Sequence, residues 1–198
     1  MNILAIADLH CYTLNEIDNL FRVNKNNIDV IVWLGDNDNY VIKKMKQKYN
    51  DIPHIGILGN YETYDNLTKN HIENIDKIKT EINGISFVGL SGCCKNNNKN
   101  FRYGYTQKDS IITTLMMPKA DIIISHTSPM GIHISKNDDF HCGLIGISDY
   151  IKLHSPRLCI HGHQHINKNT LLKNGTLVIG VFGATIIDTD SLQSIKIF

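Results

Sequence analysis

Residues 3–10 read Ile3-Leu4-Ala5-Ile6-Ala7-Asp8-Leu9-His10. Five apolar residues lead straight into a carboxylate and then an imidazole. An apolar run this short, with no polar residue alternating through it, reads as a strand buried on both faces, the kind found in parallel sheets covered by helices. Asp8 and His10 then sit at the carboxyl end of that strand.

Working outward, the same unit recurs. Residues 14–23 carry Leu14, Ile17, Leu20 and Phe21 at helical spacing, and 30–34 form a second strand pattern. Residues 40–49 are again helical in spacing, and 55–58 form a third strand. A βαβαβ order argues for a largely parallel sheet with helices on at least one face. Further strands are expected at 85–90, 122–125 and 158–161, with helices at 108–117 and 144–154. The tail differs: 170–172, 177–181 and 194–198 look like strands, and Asn174-Gly175 is a hairpin signal, so the α/β body ends in an antiparallel portion of sheet. The connections 91–105 and 127–142 are long for a compact domain, which marks them as candidate functional loops.

The chain has 198 residues, 42% hydrophobic and 20% charged, with a formal net charge of +1. One domain, 1–198, is expected. The balanced charge gives no basis for a strong nucleic-acid-binding surface or for membrane binding. No apolar run approaches the roughly 18–20 residues of a membrane span, and Asp8 interrupts the first apolar run, so a cytoplasmic location is expected. Cys11, Cys93, Cys94, Cys142 and Cys159 form no CxxC pair, and an odd, scattered set reads as free thiols.

Ligands of open α/β sheets bind outside the carboxyl ends of the strands. Asp8 and His10 follow the first strand, Gly35-Asp36 the second and Gly59-Asn60 the third. His126 follows the strand at 122–125, and His161, Gly162, His163 and His165 end or follow the one at 158–161. Singly, each has a bland reading: Asp8 as the cap of the helix near Thr13, Asp36 and Asn60 as turn residues, His126 as a loop histidine. Together they place nitrogen and oxygen donors at five strand ends. Histidine with carboxylate and no thiolate suits Mn, Fe, Zn or Ni better than Ca or Mg. Seven donors (Asp8, His10, Asp36, Asn60, His126, His163, His165) exceed the needs of one catalytic ion and suit two, about 3.5–4 Å apart and sharing a carboxylate. His161 reads as a strand residue facing elsewhere, and His54, His71 and His154 as surface residues.

On these residues the sequence resembles the calcineurin-like metallophosphoesterases. Their pattern of D-x-H, G-D-x-x-D, G-N-H-D/E, H and G-H-x-H appears as Asp8-Leu9-His10, Gly35-Asp36-Asn37-Asp38-Asn39, Gly59-Asn60-Tyr61-Glu62, His126 and Gly162-His163-Gln164-His165. Residues 125–131, from Ser125 to Gly131, also resemble the family's histidine–proline–glycine loop. The resemblance implies a four-layer α/β/β/α sandwich of two mixed sheets flanked by helices. It implies one divalent ion on Asp8, His10, Asp36 and His165 and another on Asp36, Asn60, His126 and His163, with Mn²⁺ the first expectation and Fe, Zn or Ni as others. It further implies phosphoester hydrolysis by a hydroxide bridging the two metals.

There are two departures. Asn39 replaces the second aspartate of G-D-x-x-D, a supporting position. Tyr61 replaces the G-N-H histidine, which in the family contacts the phosphate and helps protonate the leaving oxygen. A phenol, with an ordinary pKa of about 10, is a poorer acid at neutral pH. Family members without that histidine often favour diesters, so a phosphodiesterase is expected, with Asp36 and Tyr61 as catalytic residues and a nucleotide or nucleic-acid end as substrate. Asn60, Tyr61, Arg102, His133 and His141 are the candidate substrate contacts. His133 or His141 is a candidate replacement for the missing acid, although solvated loop histidines are commoner, and the loop bearing Arg102, Tyr103 and Tyr105 reads either as a lid or as a plain surface loop. The alternatives are a phosphomonoesterase or protein phosphatase, and a protein-interaction scaffold on this fold like the retromer subunit. Retention of four metal-site histidines argues against the scaffold.

Overall fold

The computed structural model describes residues 1–62, 65–95, 102–134 and 141–198. Its strands are β1 (Asn2–Ala7), β2 (Val30–Trp33), β3 (His54–Gly56), β4 (Glu73–Asn74), β5 (Lys79–Ile82), β6 (Ile85–Leu90), β7 (Cys93–Cys94), β8 (Gly104–Tyr105), β9 (Ile122–Ser125), β10 (Leu158–His161), β11 (Lys168–Leu171), β12 (Leu177–Gly180), β13 (Gly183–Asp188) and β14 (Ser194–Lys196). The helices are α1 (Leu14–Leu20), α2 (Asn39–Lys48), α3 (Asn66–Lys69), α4 (Gln107–Leu115) and α5 (Ile145–His154). One six-stranded sheet has the order β14-β13-β1-β2-β3-β4 and the other β11-β12-β10-β9-β6-β5. The strands from β1 to β4 pair in parallel, as do β12, β10, β9 and β6. The outer strands β13, β14, β11 and β5 pair antiparallel.

The expected four layers follow from the two-residue period of a strand. Ile3, Ala5 and Ala7 of β1, with Val30 and Val32 of β2, pack against Phe87, Ile122, Ile124 and Ile160 of the other sheet. The intervening Leu4, Ile6, Ile31 and Trp33 face Ile17 and Leu20 of α1 and Val41, Ile42 and Met45 of α2. On the far side Val88, Ile123, Cys159 and Val178 pack on Ile147, Tyr150 and Ile151 of α5. The inner strands are therefore covered twice, which is why β1 from Ile3 to Ala7, β2 and the first three residues of β9 are apolar without a break. Among the described residues no helix is long and apolar enough to cross a membrane.

The structure departs from the sequence expectations in several places, and β4, β5, β7, β8 and α3 are elements that the sequence reading lacked. β13 is a full partner of β1, yet its run continues from β12 with only Val181 and Phe182 between them. The chain crosses from one sheet to the other there, turning at Gly183 with φ 86°; no polar turn residue marks the crossing. The hairpin at Asn174-Gly175 is formed by β11 and β12 as expected. Second, His54 is not a surface residue. It lies inside β3 at 4% exposure, where Trp33 Nε1 donates to its Nδ1 (3.3 Å) and its Nε2 donates to the Tyr49 carbonyl (3.1 Å). Burial pushes its pKa down to about 4. His71 is exposed and His154 half-buried. Third, the bland reading of Asp8 as the cap of the helix near Thr13 is not met. Glu16 Oε2 accepts the Thr13 N–H at the start of α1 (2.9 Å), and Asp38 Oδ1 accepts the Tyr40 N–H at the start of α2 (2.7 Å). The earlier carboxylates Asp8 and Asp36 are left for other work.

Candidate metal centre

The carboxyl ends of the parallel strands of both sheets converge. Asp8 leaves β1 with φ 57° and Asp36 follows β2 with φ 54°; His163 and His165 follow β10 with φ 62° and 48°. Each left-handed non-glycine residue costs on the order of 1–3 kcal/mol and persists only where its surroundings over-determine it. Here four such residues are candidate ligands. One hydrogen bond across the two sheets and one between neighbouring strand ends of the second sheet hold them: Asp8 Oδ2 accepts the His163 N–H (2.7 Å), and Gly162 N–H donates to the His126 carbonyl (3.0 Å).

The donors fall into overlapping sets. One atom each of Asp36, His126 and His163 lie within 4.8 Å of one another, as do one each of Asp8, His10 and Asp36, and one each of His10, Cys11 and His165. His126 Nε2 is 2.9 Å from Asn60 Oδ1 and 3.3 Å from Asp36 Oδ2. His165 Nε2 is 3.9 Å from Asp8 Oδ1. All seven sequence-chosen donors are thus brought together.

These residues fit a pair of cations. Asp8 Oδ1 and Asp36 Oδ2 are buried and have no hydrogen-bond partner, Asp36 Oδ2 having only the His126 ion pair at 3.3 Å, an expensive arrangement unless positive charge joins them. His126 Nδ1 lies 2.7 Å from the Leu34 carbonyl and donates to it, turning Nε2 toward Asp36 and Asn60. Burial alone would lower the His126 pKa, but the Asp36 and Asp8 charges raise it to about 9. A proton is thereby held where a cation would replace it. Burial pushes Asp8 up to about 6; for Asp36, burial acts upward but His126 prevails and its pKa is lowered. His10 Nδ1 is 3.3 Å from the Asp36 carbonyl, which leaves Nε2 for the site.

Gly59 is required by space: a Cβ there would overlap the Asp36 carboxylate. Tyr61 supplies its backbone N–H to Asp36 Oδ1 (2.9 Å), and its ring, 63% exposed, lies 5.5 Å from His10. His141 is brought over the site, its ring 4.7 Å from His163 and 5.8 Å from His165. His133 is not: its Nδ1 is 2.9 Å from His161 Nε2 and its Nε2 2.8 Å from Thr170 Oγ1. Both ring nitrogens are engaged in an anchor behind the site, in place of the expected substrate contact. His161 itself is fully buried in β10, as expected for a strand residue. The Arg102 guanidinium lies over the Tyr103 ring at 5.6 Å, while the Tyr105 hydroxyl accepts from Lys77 Nζ (3.4 Å). Residues 96–101 of the expected lid lie outside the described residues.

Two residues carry more than the sequence reading gave them. Glu62, quoted there only as a motif letter, is buried, and its Oε2 accepts the N–H of Asp36 (3.0 Å) and that of Gly59. Burial pushes its carboxyl up to about 7. Cys11, counted only as a free thiol, has Sγ 3.9 Å from His165 Nε2; its adjacency to His10 was the available signal.

A groove of about 600 Å³ opens beside His10, lined by Tyr12, Leu14, Phe21, Tyr40 and Lys44 among others. A cavity of about 410 Å³ between α5 and the β11–β12 hairpin, lined by Met130, Ile132, Ile151 and Leu172, includes none of the candidate ligands.

The sequence model of the calcineurin-like phosphoesterase family matches residues 1–167. No curated protein is a significant sequence match. Among solved structures, TT1561 of Thermus thermophilus is similar over 100% of this chain and 99% of its own, with TM-score 0.71 and 14% identity. An archaeal phosphodiesterase is similar over 98% of both chains (TM-score 0.59, 17% identity). A dimetal phosphatase from Danio rerio is similar over 94% of this chain and 91% of its own (TM-score 0.56, 11% identity). At these identities the likeness is one of fold.

Proposed function

This chain belongs to the calcineurin-like phosphoesterase family, and from that premise we propose that it is a metal-dependent phosphodiesterase centred on Asp36. Asp8, His10, Asp36 and His165 would hold one divalent cation, and Asp36, Asn60, His126 and His163 the other, with Mn²⁺ as the ion. When bound, such a pair supplies Lewis-acid clamping of phosphoryl oxygens and a water nucleophile of low pKa.

The chain's own part is positioning. Tyr61 N–H fixes one oxygen of Asp36 and Glu62 fixes its backbone, so the carboxylate shared by both sets is oriented before substrate arrives. The Leu34 carbonyl sets the His126 tautomer. Tyr61 then offers a phenol to the ester oxygen, and a phenol hydrogen-bonds well but protonates a departing alkoxide poorly. Ester groups that leave with little protonation are favoured.

The observation that carries the diester reading is Tyr61 itself. Its backbone N–H orients Asp36 while its side chain stands at the rim without an imidazole. The groove beside His10 supports the reading, since it offers room for a second esterified group. Lys44 Nζ lies over both Phe21 and Tyr40 there (5.2 and 4.8 Å), beside Asp18 and Asp38, and the aromatic faces suit the base of a nucleotide or nucleic-acid end. The test is turnover of bis-p-nitrophenyl phosphate against p-nitrophenyl phosphate with Mn²⁺, Ni²⁺, Mg²⁺ or chelator. Faster diester cleavage that chelator abolishes is expected; faster monoester cleavage overturns the diester assignment, and no turnover with any metal overturns the enzyme assignment.

A further inference from the structure

We propose that Cys11 is a thiolate ligand of the cation position formed by Asp8, His10 and His165, and that it makes this position selective for thiophilic ions. The inference rests on the two-cation reading above and goes beyond its nitrogen and oxygen donors.

The geometry begins with the turn out of β1. Asp8 adopts the left-handed conformation, and Leu9–Cys11 form a single 3₁₀ turn closed by Cys11 N–H to the Asp8 carbonyl (3.3 Å). That turn presents three donor-bearing side chains, Asp8, His10 and Cys11, within four residues. Cys11 Sγ is 3.9 Å from His165 Nε2, and one atom each of His10, Cys11 and His165 fall within 4.8 Å of one another. Among the described residues this is the one such cluster that contains a sulfur. A second observation points to a cation at the same place. Asp8 Oδ1, on a residue with no exposed surface, has no hydrogen-bond partner and lies 3.9 Å from the same His165 Nε2. A buried carboxylate oxygen and a thiol thus flank one imidazole nitrogen.

On binding, the Cys11 S–H bond breaks, its proton passes to solvent, and a sulfur–metal bond forms; no oxidation state changes. A soft sulfur donor added to imidazole and carboxylate favours Zn²⁺ or Cd²⁺ over Mn²⁺. The other cysteines join no such cluster among the described residues.

The experiment is a Cd²⁺ titration of the metal-free protein, wild type against Cys11→Ser. It is followed by the ultraviolet thiolate-to-Cd²⁺ charge-transfer band and by calorimetry that counts bound ions, with Mn²⁺ in parallel. Cys11 is exposed, so the variant is expected to fold, and Cys11→Ala serves as a second one. Wild type is expected to bind two Cd²⁺ and develop the band. In both variants the band is lost, Cd²⁺ binding at one site weakens by roughly tenfold or more, and Mn²⁺ affinity stays within about twofold. Two Cd²⁺ bound without a band in wild type, or an equal band in the variants, overturns the thiolate assignment and leaves the two-cation reading standing. Calorimetry that detects no bound ion of either metal overturns that reading, and the proposal with it.

Discussion

Replacing Glu62 by alanine tests the architecture of the site most directly. One oxygen, Oε2, accepts both the Asp36 N–H at 3.0 Å and the Gly59 N–H, and the residue is 7% exposed. Without it, two buried backbone donors lose their acceptor. Each unsatisfied group costs about 1–3 kcal/mol, so the metal-free protein should lose roughly 2–6 kcal/mol. In a domain of this size, at about 2–4 °C per kcal/mol, that lowers Tm by roughly 4–24 °C. Asp36 and the Gly59-Asn60 turn lose their brace together, so Mn²⁺ affinity should fall about 10–100-fold, as it does when groups behind metal ligands are removed elsewhere. Glu62→Gln is the control. Its amide oxygen accepts both N–H groups at nearly the same volume and without charge, and it should stay within about 1 kcal/mol of wild type. The assay is thermal melting of the metal-free protein followed by calorimetric Mn²⁺ titration. An alanine variant that melts within about 2 °C of wild type and binds Mn²⁺ equally well would refute the reasoning. A glutamine variant as damaged as the alanine one would also refute it, because charge rather than hydrogen-bond acceptance would then be the requirement.

Three further outcomes are expected. Asp36→Ala and His163→Ala each abolish turnover even at saturating Mn²⁺, measured with bis-p-nitrophenyl phosphate; near-normal activity in either removes the two-cation assignment. Tyr61→His restores an imidazole at the rim and should raise the ratio of monoester to diester turnover by roughly tenfold or more; an unchanged ratio means that Tyr61 does not set leaving-group preference. His54 is neutral in the fold, its pKa lowered from 6.5 to about 4 by burial, so the unfolded chain takes up a proton that the folded chain refuses. The stability this contributes is present above about pH 6.5 and lost as pH falls toward about 4, a loss of about 3 kcal/mol. Urea denaturation across that window should show a shallower decline for His54→Gln than for wild type, and equal slopes would exclude burial of a neutral His54 as the cause.

Much of the site was legible because strand ends and donor chemistry are local. A buried strand must be apolar, so the first polar residue after it is conspicuous, and Asp8, Asp36, Asn60, His126 and His163 each stand at or just beyond such a boundary. Glu62 was quoted but given no role, because its work is to accept N–H groups from Asp36 and Gly59, and a residue's backbone partners leave no mark on its own letter. His54 misled for the opposite reason. A polar residue beside Pro53 reads as surface, whereas Trp33 Nε1 and the Tyr49 carbonyl satisfy both its ring nitrogens in the interior.

The sequence by itself determined the α/β order, the strand ends that carry donors, and the substitution of Tyr61 for histidine, since each depends on residue type and short-range period. Only the tertiary structure decided that β13 completes the first sheet beside β1, that His133 anchors to His161 and Thr170 rather than facing the site, and that Cys11 stands beside His165. Those facts join residues far apart in the chain: Cys11 and His165 are 154 positions apart and meet only because two separate sheets stack with their carboxyl ends on one side. Periodicity reports which face of a strand is buried, but it carries no information about which other strand that face will meet.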